Sequence, residues 1–132
     1  MNERWRAWGP AVAWAAVLFA LSASPMRLSG DGWWSQIDDK AVHLCLYVVL
    51  GAALAWARMR GARGMPHAVM IAVGALYGAS DEWHQSFVPN RTASVADWAA
   101  DVAGVLLGYG LIIVAAAWLA RRAHDGTDER TT

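Results

Sequence analysis

The hydrophobic positions of this sequence fall into four long runs that contain no Asp, Glu, Lys or Arg. The runs cover residues 7–26, 41–57, 64–80 and 102–120. A helix rises ~1.5 Å per residue, so each run approaches the ~30 Å hydrocarbon thickness of a bilayer. A soluble protein of 132 residues would have too little polar surface left to cover four such helices. The pattern therefore predicts an all-α, polytopic membrane bundle of four transmembrane helices.

Helix-breaking and capping residues set the predicted helix ends. Pro25 cannot continue the first helix, because its ring removes a backbone donor, and Ser94 is a good N-cap for the fourth. The charged residues that follow the fourth helix are typical of a disordered tail. We expect the first helix to be retained rather than cleaved as a signal peptide. The predicted helices are about 8–24, 39–58, 66–87 and 94–120, within a membrane domain of 1–120 and a tail of 121–132.

The distribution of cations between the loops predicts the orientation in the plasma membrane. Cytoplasmic loops carry an excess of Lys and Arg. The loop between helices two and three and the two chain ends hold most of the arginines, so we expect them, and both termini, to be cytoplasmic. These residues are Arg58, Arg60, Arg63, Arg4, Arg6, Arg121 and Arg122. The other two loops should face outward, since their only cations are Arg27, Lys40 and Arg91.

Composition and charge agree with a membrane protein and argue against nucleic-acid binding. Hydrophobic residues make up 57% of the sequence and charged residues 17%, against ~25% charged in a typical soluble domain. The formal net charge is +0, so the sequence shows no basic patch of the kind that binds nucleic acid. The partners we expect are therefore membrane lipids, and a homo-oligomer stays open.

Three of the predicted helices carry polar residues on one face and toward the same end. Helical spacing of three or four residues places them together. The stripes are Asp39, His43, Tyr47 and Gly51 on helix two, Tyr77, Asp81, His84 and Gln85 on helix three, and Ser94, Asp97, Asp101, Gly104 and Gly108 on helix four. Glu82 lies about 100° away from the helix-three stripe. Ionisable residues within spans usually face the bundle interior. We expect one outward-facing pocket, with the His43 and Asp81 side chains within about 8 Å of Asp97.

The acids in these stripes outnumber the nearby cations. Five carboxylates, on Asp39, Asp81, Glu82, Asp97 and Asp101, stand against Lys40 and Arg91. Either at least one carboxyl keeps its proton, or His43 and His84 are cationic, or the pocket holds a cation. An ion-pair network that only fixes helix packing is the alternative. The spacing fixes no metal-ligand set, so no metal is assigned and the cofactor is unknown.

Three stretches together resemble the VanZ-like family of bacterial membrane proteins. They are Asp39-Lys40-x-x-His43-x-x-x-Tyr47-x-x-Leu50-Gly51, Tyr77-Gly78-x-x-Asp81-Glu82-x-His84-Gln85-x-Phe87-Val88-Pro89-x-Arg91, and Ser94-x-x-Asp97-x-x-x-Asp101-x-x-Gly104-x-x-x-Gly108. The sequence departs from the family pattern at Asn90, where Gly is commoner, and at Asp101, where Asn is commoner. The resemblance implies a cell-envelope setting and low-level resistance to the lipoglycopeptide teicoplanin. It implies no particular reaction.

Two functions fit these residues. The first is a non-enzymatic module that binds or modulates an envelope lipid or cell-wall component. Its ligand-binding candidates are Asp39, Lys40, His43, Tyr47, Tyr77, Asp81, Glu82, Gln85, Arg91, Asp97 and Asp101. The second is an enzyme acting on an envelope lipid or lipid-linked sugar, with catalytic candidates His43, Asp81, Glu82, His84 and Asp97. A proton- or ion-coupled carrier is less favoured, because the inner halves of the helices offer no polar relay.

The orientation can be tested with single cysteines in a Cys45→Ala background, since Cys45 is the only native cysteine. Asn90→Cys should react with a membrane-impermeant thiol reagent added to intact cells. Arg60→Cys should react only after the membrane is permeabilised, because its loop is predicted to be cytoplasmic. The opposite labelling would reverse the predicted orientation.

Overall fold

Four α-helices make up the described part of the molecule. The computed structural model describes the backbone over residues 3–23 and 33–128, with side chains over 4–23 and 39–125. The helices are α1 (Glu3–Ser22), α2 (Trp33–Arg60), α3 (His67–Gln85) and α4 (Val95–Asp128), and these described residues contain no strand. The predicted all-α class and the four helices are confirmed. The predicted break at Pro25 lies outside the described residues.

Several helix ends differ from the predicted ones. α1 begins at Glu3 rather than near Trp8. α2 begins at Trp33 rather than near Asp39, because no Pro or Gly interrupts residues 33–38. α4 continues to Asp128, so residues 121–128 are helical where a disordered tail was predicted. Arg, Ala and other helix formers follow Ala120, and no Pro ends the helix there. α3 ends at Gln85, shortly before Val88-Pro89, where the proline disfavours helix in the preceding residue. The division into a domain and a tail stays a prediction.

Two of the helices are long and apolar enough to cross a membrane. These are Asp39–Arg60 and Val95–Asp125, which contain 18-residue windows with mean hydropathies of 1.6 and 2.3. The described part of α1 carries Arg4 and Arg6 within its first turns. The last turn and a half of α3 is polar, from Asp81 to Gln85. Whether α1 and α3 also span the membrane therefore stays a prediction. The two candidate spans favour a membrane protein.

The pairing of α2 with α4 forms the centre of the bundle, and glycines make the pairing close. A Cβ built on Gly104 would lie 2.5 Å from the Leu44 carbonyl oxygen, and one on Gly108 would overlap the Val48 carbonyl oxygen. Gly51 faces α4 in the same way at Val105. Small residues at such positions let helix backbones approach in a bilayer, where association depends on packing rather than on the hydrophobic effect. Side chains buried around this contact include Tyr47, Leu50, Leu54, Val105 and Tyr109.

Side-chain hydrogen bonds to backbone carbonyls connect the remaining helices to this pair. The Trp14 indole of α1 donates to the Leu46 carbonyl of α2 over 2.8 Å. The Tyr77 hydroxyl of α3 donates to the Ala15 carbonyl of α1 over 2.5 Å. The Trp98 indole of α4 donates to the Ala75 carbonyl of α3 over 3.0 Å. Aromatic donors thus connect α1 to α2, α3 to α1 and α4 to α3, and help to fix the relative positions of these helices.

Gly108→Ala should destabilise the bundle by about 1–3 kcal/mol, the usual cost of overpacking a close contact. The added methyl group would fall on the Val48 backbone, which cannot move aside as a flexible side chain can. The measurement is the free energy of unfolding in detergent micelles.

Gly110→Ala is the matched control, because a Cβ there has no neighbour within 4 Å among the described residues. That variant should be unchanged or more stable by about 0.5–1 kcal/mol, since alanine is the better helix former. Equal destabilisation by both substitutions would contradict the close α2–α4 contact.

Candidate functional site

The connection between α3 and α4 brings the polar ends of these helices together. The Ser94 side chain caps α4, accepting a hydrogen bond from the Asp97 backbone N–H over 3.4 Å, as predicted. The Ser94 backbone N–H itself donates to Glu82 Oε2 over 2.8 Å. Asn90 has a φ of 63°, a left-handed conformation that Asn tolerates better than most residues, which explains how it can stand where Gly is commoner. The loop thus ties the end of α3 to the start of α4.

An ionisable cluster formed by His43, Glu82 and Asp101 lies between α2, α3 and α4. His43 Nδ1 is 2.9 Å from Asp101 Oδ1 and 3.9 Å from Glu82 Oε1. All three residues are buried, and Asp101 is 0% exposed. Each comes from a different helix, so the predicted convergence of three polar stripes is observed for these residues. We call this set the His43 cluster.

Asp81 lies next to the His43 cluster and is held by two donors. The Tyr47 hydroxyl and the Gln85 side-chain amide both donate to Asp81 Oδ2, each over 3.3 Å. Tyr47 is 1% exposed, so its hydroxyl position is set by packing between the helices. These contacts unite α2 and α3 around a single carboxylate.

Asp97 marks the more exposed edge of the site. Lys40 Nζ lies 3.5 Å from Asp97 Oδ1, and the Lys40 side chain is 42% exposed. Ligand atoms of Asp39, His43 and Asp97 lie within 4.8 Å of one another. The expected proximity of His43 to Asp97 is therefore confirmed, while the Asp81–Asp97 distance stays a prediction.

A small polar cavity opens beside these residues. It measures about 30 Å³, which is enough for one or two water-sized groups. Its polar lining is Asp39, His43, Tyr47, Asp81, Gln85, Arg91 and Ser22, and its apolar lining is Leu18, Leu21, Val42 and Leu46. Leu18, Leu21 and Ser22 belong to α1, which the sequence analysis did not place at the site. Their spacing of three or four residues places them on one face of α1, but the same spacing is typical of any helix that packs against a core.

A larger groove lies between α1 and α3. It measures about 440 Å³ and is mostly aromatic. Its lining is Phe19, Tyr77, Ser80, Asp81, Trp83, His84 and Phe87. The His84 ring stacks on Phe19 with centroids 4.7 Å apart, so it faces this groove and is not among the groups in contact with His43. We call it the aromatic groove.

The structure thus divides the candidate residues between two neighbouring spaces. Tyr77 and His84 line the aromatic groove, and the Tyr77 hydroxyl is engaged by the α1 backbone. Glu82 and Asp101 lie in the buried His43 cluster. Asp81 lines both the polar cavity and the aromatic groove. The sequence analysis missed Phe19, which no polar or charged pattern could single out.

Comparison of the sequence with known protein families identifies one that matches most of the chain. The family model described as VanZ/LLP1 matches residues 8–116. The chain belongs to the VanZ/LLP1 family. No curated protein and no solved structure matches it. Family membership, together with two helices able to span a bilayer, indicates a membrane-associated envelope protein of a family linked to glycopeptide resistance.

The buried acids of this VanZ/LLP1 protein leave several oxygen atoms without a hydrogen-bond donor among the described residues. They are Asp81 Oδ1, Glu82 Oε1, Asp97 Oδ1 and Asp101 Oδ2. Leaving a buried acceptor unsatisfied costs about 1–3 kcal/mol. Such atoms can accept a proton, coordinate a cation, or receive a donor group from a ligand. The site is therefore equipped to attract positive charge.

Asp101→Ala should destabilise the protein by about 3–5 kcal/mol, because it leaves His43 buried without its closest partner. Asp97→Ala is the matched comparison and should cost about 1 kcal/mol or less, since its partner Lys40 is partly exposed to solvent. Free energies of unfolding in detergent micelles measure both. Equal losses would mean that the His43–Asp101 contact has no special weight in the fold.

Proposed function

We propose that this protein is a multi-pass plasma-membrane protein that binds an amphiphilic component of the bacterial envelope at its outer face. The ligand class is an envelope lipid or a lipid-linked cell-wall precursor. One observation carries the proposal: Asp81 borders both the polar cavity and the aromatic groove. A molecule with a polar group and an apolar chain could occupy both spaces while contacting this carboxylate.

The aromatic groove suits the apolar part of such a ligand. Its volume of about 440 Å³ falls within the ~300–1,000 Å³ of typical small-molecule sites. Phe19 is 54% exposed, Trp83 70% and Phe87 71%, so their rings are available for contact. Trp83 and Phe87 pack edge to face with centroids 5.6 Å apart, which forms one side of the groove. Hydrocarbon chains would bury this surface.

The polar cavity suits a small cationic group. About 30 Å³ accommodates an ammonium group but excludes a whole phospholipid head group. The carboxylates of Asp39 and Asp81 both line the cavity, together with the single guanidinium of Arg91. Acids outnumber cations in this region, and a field of one sign concentrates ligands of the opposite sign. An amine-bearing lipid or precursor fits these properties better than an anionic one.

An enzyme acting on the same class of envelope lipid is the second candidate. The contact of 2.9 Å between His43 Nδ1 and Asp101 Oδ1 favours it, because a carboxylate that orients an imidazole is a common feature of general bases. His43 also lines the polar cavity. Asp81 and Glu82 would then be acid candidates beside the bound lipid.

Retention of defined lipids by the purified protein tests the binding proposal. Nanodiscs would contain phosphatidylethanolamine and phosphatidylglycerol with identical acyl chains, and native mass spectrometry would count the lipids that stay bound. The wild type should prefer phosphatidylethanolamine by about tenfold, equivalent to about 1.4 kcal/mol. Asp81→Asn should abolish that preference because it removes the carboxylate charge. Asp125→Asn, an exposed acid at the far end of α4, is the control and should retain it.

No preference in the wild type, or equal loss in Asp81→Asn and Asp125→Asn, would contradict the proposed ligand class. Envelope lipids extracted from cells separate binding from catalysis. Asp81→Asn and His43→Ala, at confirmed membrane levels, should leave lipid composition unchanged while altering teicoplanin susceptibility. Disappearance of one lipid product in both variants would favour the enzyme.

A further inference from the structure

We propose that His43, Glu82 and Asp101 bind a divalent transition-metal ion at the buried junction of α2, α3 and α4. One ligand atom of each residue lies within 4.8 Å of the other two, and all three residues are buried. The proposed ligands do not include Asp81, and none of them lines the aromatic groove. The proposal therefore does not depend on whether an amphiphile binds.

The two distances from His43 Nδ1 lie just below and just above the separation expected between ligands of a shared ion. Zn²⁺ lies ~2.0–2.2 Å from imidazole nitrogen and carboxylate oxygen, which separates neighbouring ligand atoms by roughly 3–3.6 Å. His43 Nδ1 lies 2.9 Å from Asp101 Oδ1 and 3.9 Å from Glu82 Oε1. The ligand atoms of Glu82 and Asp101 lie within 4.8 Å of each other, so side-chain shifts of about an ångström or less would place all three atoms around one ion.

Unsatisfied buried oxygens provide an independent indication of a cation. Glu82 Oε1 faces His43 Nδ1 and has no hydrogen-bond donor among the described residues, although the Glu82 side chain is only 8% exposed. Asp101 Oδ2 also has no hydrogen-bond donor among the described residues, and the Asp101 side chain is 0% exposed. A metal ion would satisfy such atoms where burial keeps them from water.

The surrounding contacts hold the proposed ligands in place. Glu82 Oε2 accepts the Ser94 backbone N–H over 2.8 Å, which orients the carboxylate and directs its other oxygen toward His43. Asp101 packs against Gly78, where a Cβ would lie 3.1 Å from the Asp101 Cβ. Outer contacts of this kind commonly fix metal-ligating carboxylates.

A second trio, Asp39, His43 and Asp97, also meets the distance criterion. It is the weaker candidate, because Lys40 Nζ already lies 3.5 Å from Asp97 Oδ1 and would repel a metal ion. Asp39 is also partly exposed, so water competes for it. The buried trio has neither disadvantage.

The donor set selects the type of metal. One imidazole nitrogen and two carboxylates favour Zn²⁺ or Mn²⁺, whereas Mg²⁺ and Ca²⁺ prefer sites made entirely of oxygen. A divalent ion would also offset two of the negative charges that crowd this end of the bundle. The ion would replace the proton that otherwise bridges His43 Nδ1 and Asp101.

Metal binding by the full chain tests the proposal directly. The wild type in nanodiscs is stripped with EDTA, titrated with ZnCl₂ or MnCl₂, desalted and analysed by elemental mass spectrometry. We expect one equivalent of metal per chain, and an affinity at least tenfold lower in Glu82→Gln and Asp101→Asn, as expected for loss of a ligand charge. His124→Ala and Asp125→Asn lie in the exposed last turns of α4 and should bind like the wild type. Asp81→Asn should also keep its metal, which separates this result from the lipid experiment.

Pulsed electron paramagnetic resonance of the Mn²⁺-loaded wild type gives a readout that needs no variant to fold. Coupling to an imidazole nitrogen is expected, and its loss in His43→Ala would support the assignment. The proposal is overturned if the stripped wild type binds no stoichiometric metal, if bound Mn²⁺ shows no nitrogen coupling, or if Glu82→Gln binds as tightly as the wild type.

Discussion

The buried contact between His43 and Asp101 requires the surrounding helices to pack closely and to supply partners for both groups. An imidazole and a carboxylate lie 2.9 Å apart where Asp101 has no solvent exposure. Burying such groups is expensive unless partners from several directions surround them. The close approach of α2 and α4 at Gly104 and Gly108 brings the two side chains within reach of each other. Larger residues at these glycines would separate the helices and expose or unpair the acid.

The third helix completes this arrangement through its carboxyl end and the loop that follows. Glu82 reaches toward His43 from α3, and the Ser94 backbone N–H fixes its other oxygen. Asp81, one residue earlier, receives hydrogen bonds from Tyr47 and Gln85 instead. Two adjacent acids on α3 therefore lie in different environments. Glu82 belongs to the buried His43 cluster, and Asp81 lines the polar cavity and the aromatic groove.

This division allows two kinds of positive charge to be recognised at one end of the bundle. The His43 cluster is buried and offers nitrogen and oxygen donors to an ion. The carboxylate of Asp81 is next to apolar surface and suits a cationic group attached to a hydrocarbon chain. The small volume of the polar cavity keeps larger head groups out. A family linked to glycopeptide resistance is compatible with the proposed amphiphile, which would be bound where envelope components meet the bilayer.

The sequence by itself determined the helical class, the approximate helices and most of the polar site. Charge-free runs and helical periodicity depend only on local spacing, so they place His43, Asp97 and Asp101 on faces that can meet. The family motifs contain the same residues, and they lie within residues 8–116, which the family model matches. The cap at Ser94 and the left-handed Asn90 were also readable, because both follow from local backbone chemistry.

Tertiary structure decided which of those residues touch. Tyr77 and His84 share a stripe with Asp81, yet both contact α1. The Tyr77 hydroxyl donates to the Ala15 carbonyl, and the His84 ring stacks on Phe19. The residues of α1 that line the polar cavity are mostly apolar, so no charged pattern in the sequence pointed to them. No proline follows Ala120, so the sequence did not show that α4 continues to Asp128. Periodicity fixes the direction of a side chain around its own helix axis. The distance between helices, and so the partner each side chain meets, depends on packing at glycines and aromatic residues far apart in the sequence.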